Sequence, residues 1–155
     1  MRFARSLQTS IVAGLLTTGT ATAAPLTFGS YYDENATPPG ICSTSLCTVF
    51  FSQLPSDKLL LVTNAACAFI TPYPVTQIVL GINAGPNSGT LSRELPLQLP
   101  QPVLYAGTNY MQFNQPVHFL VGQTRYPFIQ AQTGGGGGNW GMKCSISGQL
   151  VTQIP

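Results

Sequence analysis

Prolines at positions 38, 39, 55, 72, 74, 86, 96, 100, 102, 116 and 127 punctuate the body of this chain. Inside a helix each would delete a backbone hydrogen bond and clash with the preceding turn, at a cost of about 3 kcal/mol. Few of the intervals between them can hold a helix of ordinary length. The intervals are instead rich in Val, Ile, Leu, Thr, Tyr and Phe, residues that suit the pleated, half-buried surface of a strand.

Read in order, the pieces are CTVFFSQL, KLLLVTNAACAFIT, VTQIVLGI, TLSRELPLQL, PVLYAG, NYMQFN, PVHFLVG, RYPFIQAQ and MKCSISGQLV. Each ends at Gly, Pro or Asn or in a turn such as Pro55-Ser56-Asp57-Lys58. In the longest, Leu59, Leu61, Thr63, Ala65, Cys67 and Phe69 share one face and Leu60, Val62, Asn64, Ala66, Ala68 and Ile70 the other. Eight to nine short strands at such regular spacing predict an all-β, two-sheet sandwich of jelly-roll type, stapled by disulfides. No repeat of fixed period supports a propeller or solenoid.

Residues 1–23 predict a cleaved secretory signal. Arg2 and Arg5 form a positive start, Ile11–Leu16 a short apolar stretch, and Ala21-Thr22-Ala23 the cleavage site. The apolar stretch is too short to span a bilayer, which takes about 20 residues. Residues 24–46 read as a loop-rich N-terminal segment and 47–155 as one sandwich domain. The chain is accordingly expected to be secreted or periplasmic, without a membrane span.

Cleavage removes two of the six cations. Lys58, Arg93, Arg125 and Lys143 then face Asp33, Glu34, Asp57 and Glu94, a near-neutral balance. A nucleic-acid binder needs a basic patch supplying several phosphate contacts, and four scattered cations do not make one. Four cysteines in an exported chain argue for two bridges among three connectivities. The expected pairing is Cys42–Cys47, a local clip, with Cys67–Cys144 as a long bridge between the first long strand and the last. Zinc is a weak alternative, because Cys67 and Cys144 stand alone and the only histidine is distant.

Chemistry-bearing motifs are scarce. Gly134–Gly138 lack the Lys-Ser/Thr pair and following helix of a phosphate loop, and no βαβ unit surrounds them. They read as slack between strands. His118, flanked by apolar residues, reads as a half-buried strand residue with a hydrogen-bond partner. No G-x-S-x-G elbow accompanies it. Asp33 and Glu34 are expected in a loop, Asp57 in a turn and Glu94 facing water, so nothing selects a catalytic carboxylate pair. No calcium-loop spacing and no cofactor motif is present. Asn35-Ala36-Thr37 matches the N-glycosylation acceptor pattern.

Two functions remain. The first is a non-catalytic exported sandwich, a binding or structural module of the periplasm, envelope or extracellular space. The second is a small secreted carbohydrate-binding domain or glycoside hydrolase, using Trp140, Tyr110 and Tyr126 as ligand-contacting platforms together with a carboxylate pair. For Trp140, packing into the core outweighs a binding role. The partner is an unidentified protein or glycan. A third arrangement, strand exchange into a polymer, requires Pro25–Asn35 to leave its own domain.

Overall fold

The structure, a computed structural model, describes residues 24–85, 91–135 and 138–152. The secretory signal expected over residues 1–23 lies outside that range. Ten strands make up the fold: β1 (Leu26–Phe28), β2 (Tyr31–Ala36), β3 (Leu46–Phe50), β4 (Lys58–Thr71), β5 (Val75–Asn83), β6 (Leu91–Pro96), β7 (Val103–Tyr105), β8 (Thr108–Val121), β9 (Tyr126–Thr133) and β10 (Gly141–Thr152). They form a six-stranded sheet, β1-β2-β10-β4-β8-β7, and a four-stranded sheet, β3-β9-β5-β6. No described helix is long and apolar enough to cross a membrane.

Every pairing is antiparallel. Setting the short β1 and β7 aside, the pairs nest: β2 with β10, β3 with β9, β4 with β8, β5 with β6. These pairs alternate between the two sheets. A long hairpin rolled over itself in this way is a jelly roll. The expected sandwich therefore forms, with ten strands rather than eight or nine.

The strand count differs for physical reasons. β1 has only three residues, too few to show a period. β2 carries Glu34 at an inward position, which breaks the apolar alternation by which a strand is recognised. NYMQFN and PVHFLVG are one strand, β8, because Pro116 does not end it. β7 covers only Thr108–Tyr110 on the far side of β8, and a register shift lies beside Pro116. An uncovered flank and a bulge are the settings in which a strand tolerates proline. At the N-terminus, β1 and β2 pair at home in the larger sheet. They do not leave the domain as strand exchange requires.

The core lies between the sheets and includes Leu60, Val62, Phe69, Ile78, Leu80, Phe119, Ile129 and Ile146. Both expected disulfides form. Cys67 and Cys144 are directly opposite on β4 and β10, inside one sheet, while Cys42–Cys47 clips the loop between β2 and β3. The clipped loop seats Trp140. Cys42 and Trp140 exchange backbone hydrogen bonds at 3.1 Å, and the indole N–H donates to the Thr44 carbonyl at 2.7 Å.

Candidate functional site

On β4, Cys67 and Phe69 point inward, so Ala66, Ala68 and Ile70 point outward from the larger sheet. The alternation carries across the neighbouring strands by register. Asn114 of β8, Ala66, Ser145 of β10 and Asn35 of β2 form one row. Gln112, Ala68 and Lys143 form the next, and Tyr110, Ile70 and Gly141 the one beyond.

Alanines on the central strand between longer side chains leave a hollow. It is an open trough of about 550 Å³ along β4. Its walls carry Gln112 and Asn114 on one side and Lys143, Ser145 and Asn35 on the other, with Phe113 and the Cys67–Cys144 bridge in its floor. Amides and hydroxyls both donate and accept hydrogen bonds, so the trough is equipped for a hydroxyl-rich ligand. Lys143 is its single charge, and among the described residues it has no salt-bridge partner. Tyr110, 43% exposed, lies two residues from Gln112 on the same face and stands at the end of the trough.

The aromatic residues named from sequence do not share one surface. Trp140 is 3% exposed and belongs to the core. Tyr126 is half-buried at the start of β9, at the end of the sandwich where β4 begins and β8 finishes. Tyr110 lies near the opposite end, opposite Ile70. Only Tyr110 is beside the trough. Its other residues escaped sequence reasoning because they come from four strands and share no local motif. The one local trace was Ala66 and Ala68, small residues two apart on an outward strand face.

The titratable groups are dispersed. His118 is exposed rather than half-buried, since its neighbours Val117 and Phe119 take the inward positions. Asp33 and Glu34 lie in β2, not in a loop, and consecutive strand residues face opposite ways. Glu34 points inward and is 4% exposed. It accepts hydrogen bonds from the Ser52 backbone N–H at 3.0 Å, the Ser52 hydroxyl at 2.9 Å and the buried Tyr32 hydroxyl. Burial, then the hydrogen bond to Glu34, then the charges of Glu34 and Asp33 push the Tyr32 phenol well above its ordinary value. Ser52 follows β3 of the smaller sheet, so Glu34 clasps the two sheets at one edge. At the other edge Arg93 of β6 lies 4.9 Å over the Phe119 ring of β8. Asp57 pairs with Lys58 in the turn before β4, and Glu94 is on β6. Among the described residues, no three His, Cys, Asp or Glu side chains gather as metal ligands.

The ends of the glycine run are not slack. The Gly134 N–H donates to the Pro74 carbonyl at 3.0 Å, and Gly135 lies under the Tyr73 ring. A Cβ at Gly135 would come within 2.3 Å of that ring. Glycine is required there by close approach, because Gly134 and Gly135 pack on Tyr73-Pro74.

No protein-family pattern matches this chain, and no curated protein sequence does. Among solved structures it is similar to dimeric latent PorU from Porphyromonas gingivalis, at 12% identity and a TM-score of 0.44. The alignment covers 84% of this chain and 14% of that one.

Proposed function

We propose that the chain is an exported, non-catalytic binding module that holds its ligand in the trough of the larger sheet. The observation that carries this reading is the lining: hydrogen-bonding side chains and a single lysine around small alanines, with no carboxylate pair beside them. The signal-like residues 1–23 and the two disulfides support export to an oxidising compartment. A hydrolase acting on glycosides needs two acids facing each other across the scissile bond, whereas Asp33 and Glu34 point to opposite faces of β2 and Glu34 is committed to Ser52. The carbohydrate-binding form of the alternative is favoured by Tyr110. An aromatic face next to amides is suited to stack on one sugar ring while hydrogen-bonding the next.

Affinity electrophoresis of the purified chain through gels containing soluble polysaccharides tests this. At least one polysaccharide should retard migration, and Ala68→Tyr, which fills the trough from an exposed position, should abolish the retardation with melting unchanged. Ala66→Tyr gives a second, independent block. Retardation that survives both substitutions, or none with any polysaccharide, overturns the reading.

A further inference from the structure

Lys143 sits in the wall of the trough, and among the described residues its charge is unmatched. Asp33 shares the face but lies two rows away, opposite Ser147, while Lys143 is opposite Ala68. Rows of same-facing residues are about 7 Å apart along a strand, so Asp33 is beyond pairing distance. The other lining side chains are uncharged.

From this arrangement, and resting on the trough as the binding surface, we infer that the ligand is an acidic glycan, a chain of sugars bearing carboxylates of the uronate type. Lys143 pairs with one carboxylate, Gln112, Asn114, Ser145 and Asn35 hydrogen-bond ring hydroxyls, and Tyr110 stacks on the next sugar. From the Tyr110 row to the Asn114 row is about 14 Å at strand rise, which suits a short oligosaccharide better than a single ring.

An extended acidic peptide fits less well. β4, at the floor, is hydrogen-bonded on both sides, to β10 and to β8. It therefore has no open backbone edge with which to recruit a peptide strand. Recognition falls to side chains that alternate donor and acceptor, which is the chemistry of sugar hydroxyls.

Polygalacturonate and its fully methyl-esterified form share one backbone and differ in charge, so the pair isolates the contribution of Lys143. The folded chain should bind polygalacturonate more tightly than the ester. Lys143→Gln should weaken polygalacturonate binding about fivefold at low salt, within the range of an exposed ion pair, and leave the ester unchanged. Lys143→Arg should retain the preference. Equal binding of acid and ester, or a Lys143→Gln variant that keeps the preference, overturns the acidic-glycan inference. If Ala68→Tyr still abolishes binding in that case, the trough stands as the binding surface. Binding that Ala68→Tyr does not touch overturns both. Polyglutamate bound as tightly as polygalacturonate also overturns the inference, since it makes the ligand a peptide.

Discussion

Replacing Glu34 with alanine removes the only polar link described between β2 and the chain that follows β3. Its carboxylate satisfies the Ser52 backbone N–H, the Ser52 hydroxyl and the Tyr32 hydroxyl. Alanine leaves the Ser52 N–H and the buried Tyr32 hydroxyl without a partner, whereas the half-buried Ser52 hydroxyl can turn to water. Each orphaned buried group costs about 1–3 kcal/mol, so the two together cost about 4 kcal/mol. Loss of the buried charge relieves its desolvation penalty and offsets part of this. A net loss of about 3 kcal/mol remains.

For a domain of this size, one kcal/mol shifts the melting temperature by about 4 °C, so Glu34→Ala should lower it by about 12 °C. Thermal melts followed by circular dichroism, with urea titrations at fixed temperature, measure the change. Glu34→Gln keeps the shape and one acceptor oxygen for the Ser52 N–H, and should cost about half as much. Glu94→Ala, an exposed acid on β6, should stay within about 0.5 kcal/mol of the parent. A Glu34→Ala protein melting within about 2 °C of the parent refutes the clasp.

Two further outcomes follow from buried groups. Gly81 lies directly opposite Phe128, whose ring would sit 2.2 Å from an added Cβ; Gly81→Ala should therefore cost about 2–3 kcal/mol by overpacking, and Phe128→Leu in the same chain should recover part of it in denaturant titrations. Tyr32 keeps its proton in the folded state at pH values where the unfolded chain, with an ordinary value near 10.0, loses it. Stability should be fully present below about pH 10 and fall above it, by up to about 1.4 kcal/mol per pH unit, and a Tyr32→Phe protein in alkaline urea titrations should lose that share of the slope.

The sandwich was legible because proline spacing and period-2 patterning act locally. Pro72 and Pro74 end β4 just as they suggest, and Pro55 opens the turn before it. Legibility failed where a tertiary contact outweighed the local pattern. Glu34 occupies an inward strand position because Ser52 and Tyr32 await it from elsewhere, and no local rule places a carboxylate there. Pro116 continues a strand because the neighbouring strand happens to stop at Tyr110. Gly135 reads as flexible in isolation, yet it is where Tyr73, on the connection between β4 and β5, comes to rest. The trough was the least legible feature, since the pairing of Asn114, Ala66, Ser145 and Asn35 is created only by register.

Register also ties the long disulfide to the trough. Cys67 stands between Ala66 and Ala68, and Cys144 between Lys143 and Ser145, so the bridge lies on the inward side beneath the residues that line the hollow. It holds β4 against β10 at the point where one wall meets the floor. A covalent link in that place pre-organises the site, and pre-organisation reduces the ordering cost of binding. The bridge spans a sequence separation of 77 residues against 5 for Cys42–Cys47. In the chain-entropy account these loops contribute about 4.5 and about 2 kcal/mol. Replacing both Cys67 and Cys144 with alanine should therefore lower stability roughly twice as much as replacing Cys42 and Cys47, as read by urea titration. The two variants should also differ at temperatures where both remain folded. Loss of the long bridge should weaken polysaccharide retardation through looser trough walls, while loss of the local clip, which lies under Trp140 and away from the lining, should leave retardation intact. Equal effects of the two pairs on binding would show that the bridge beneath the trough serves stability alone.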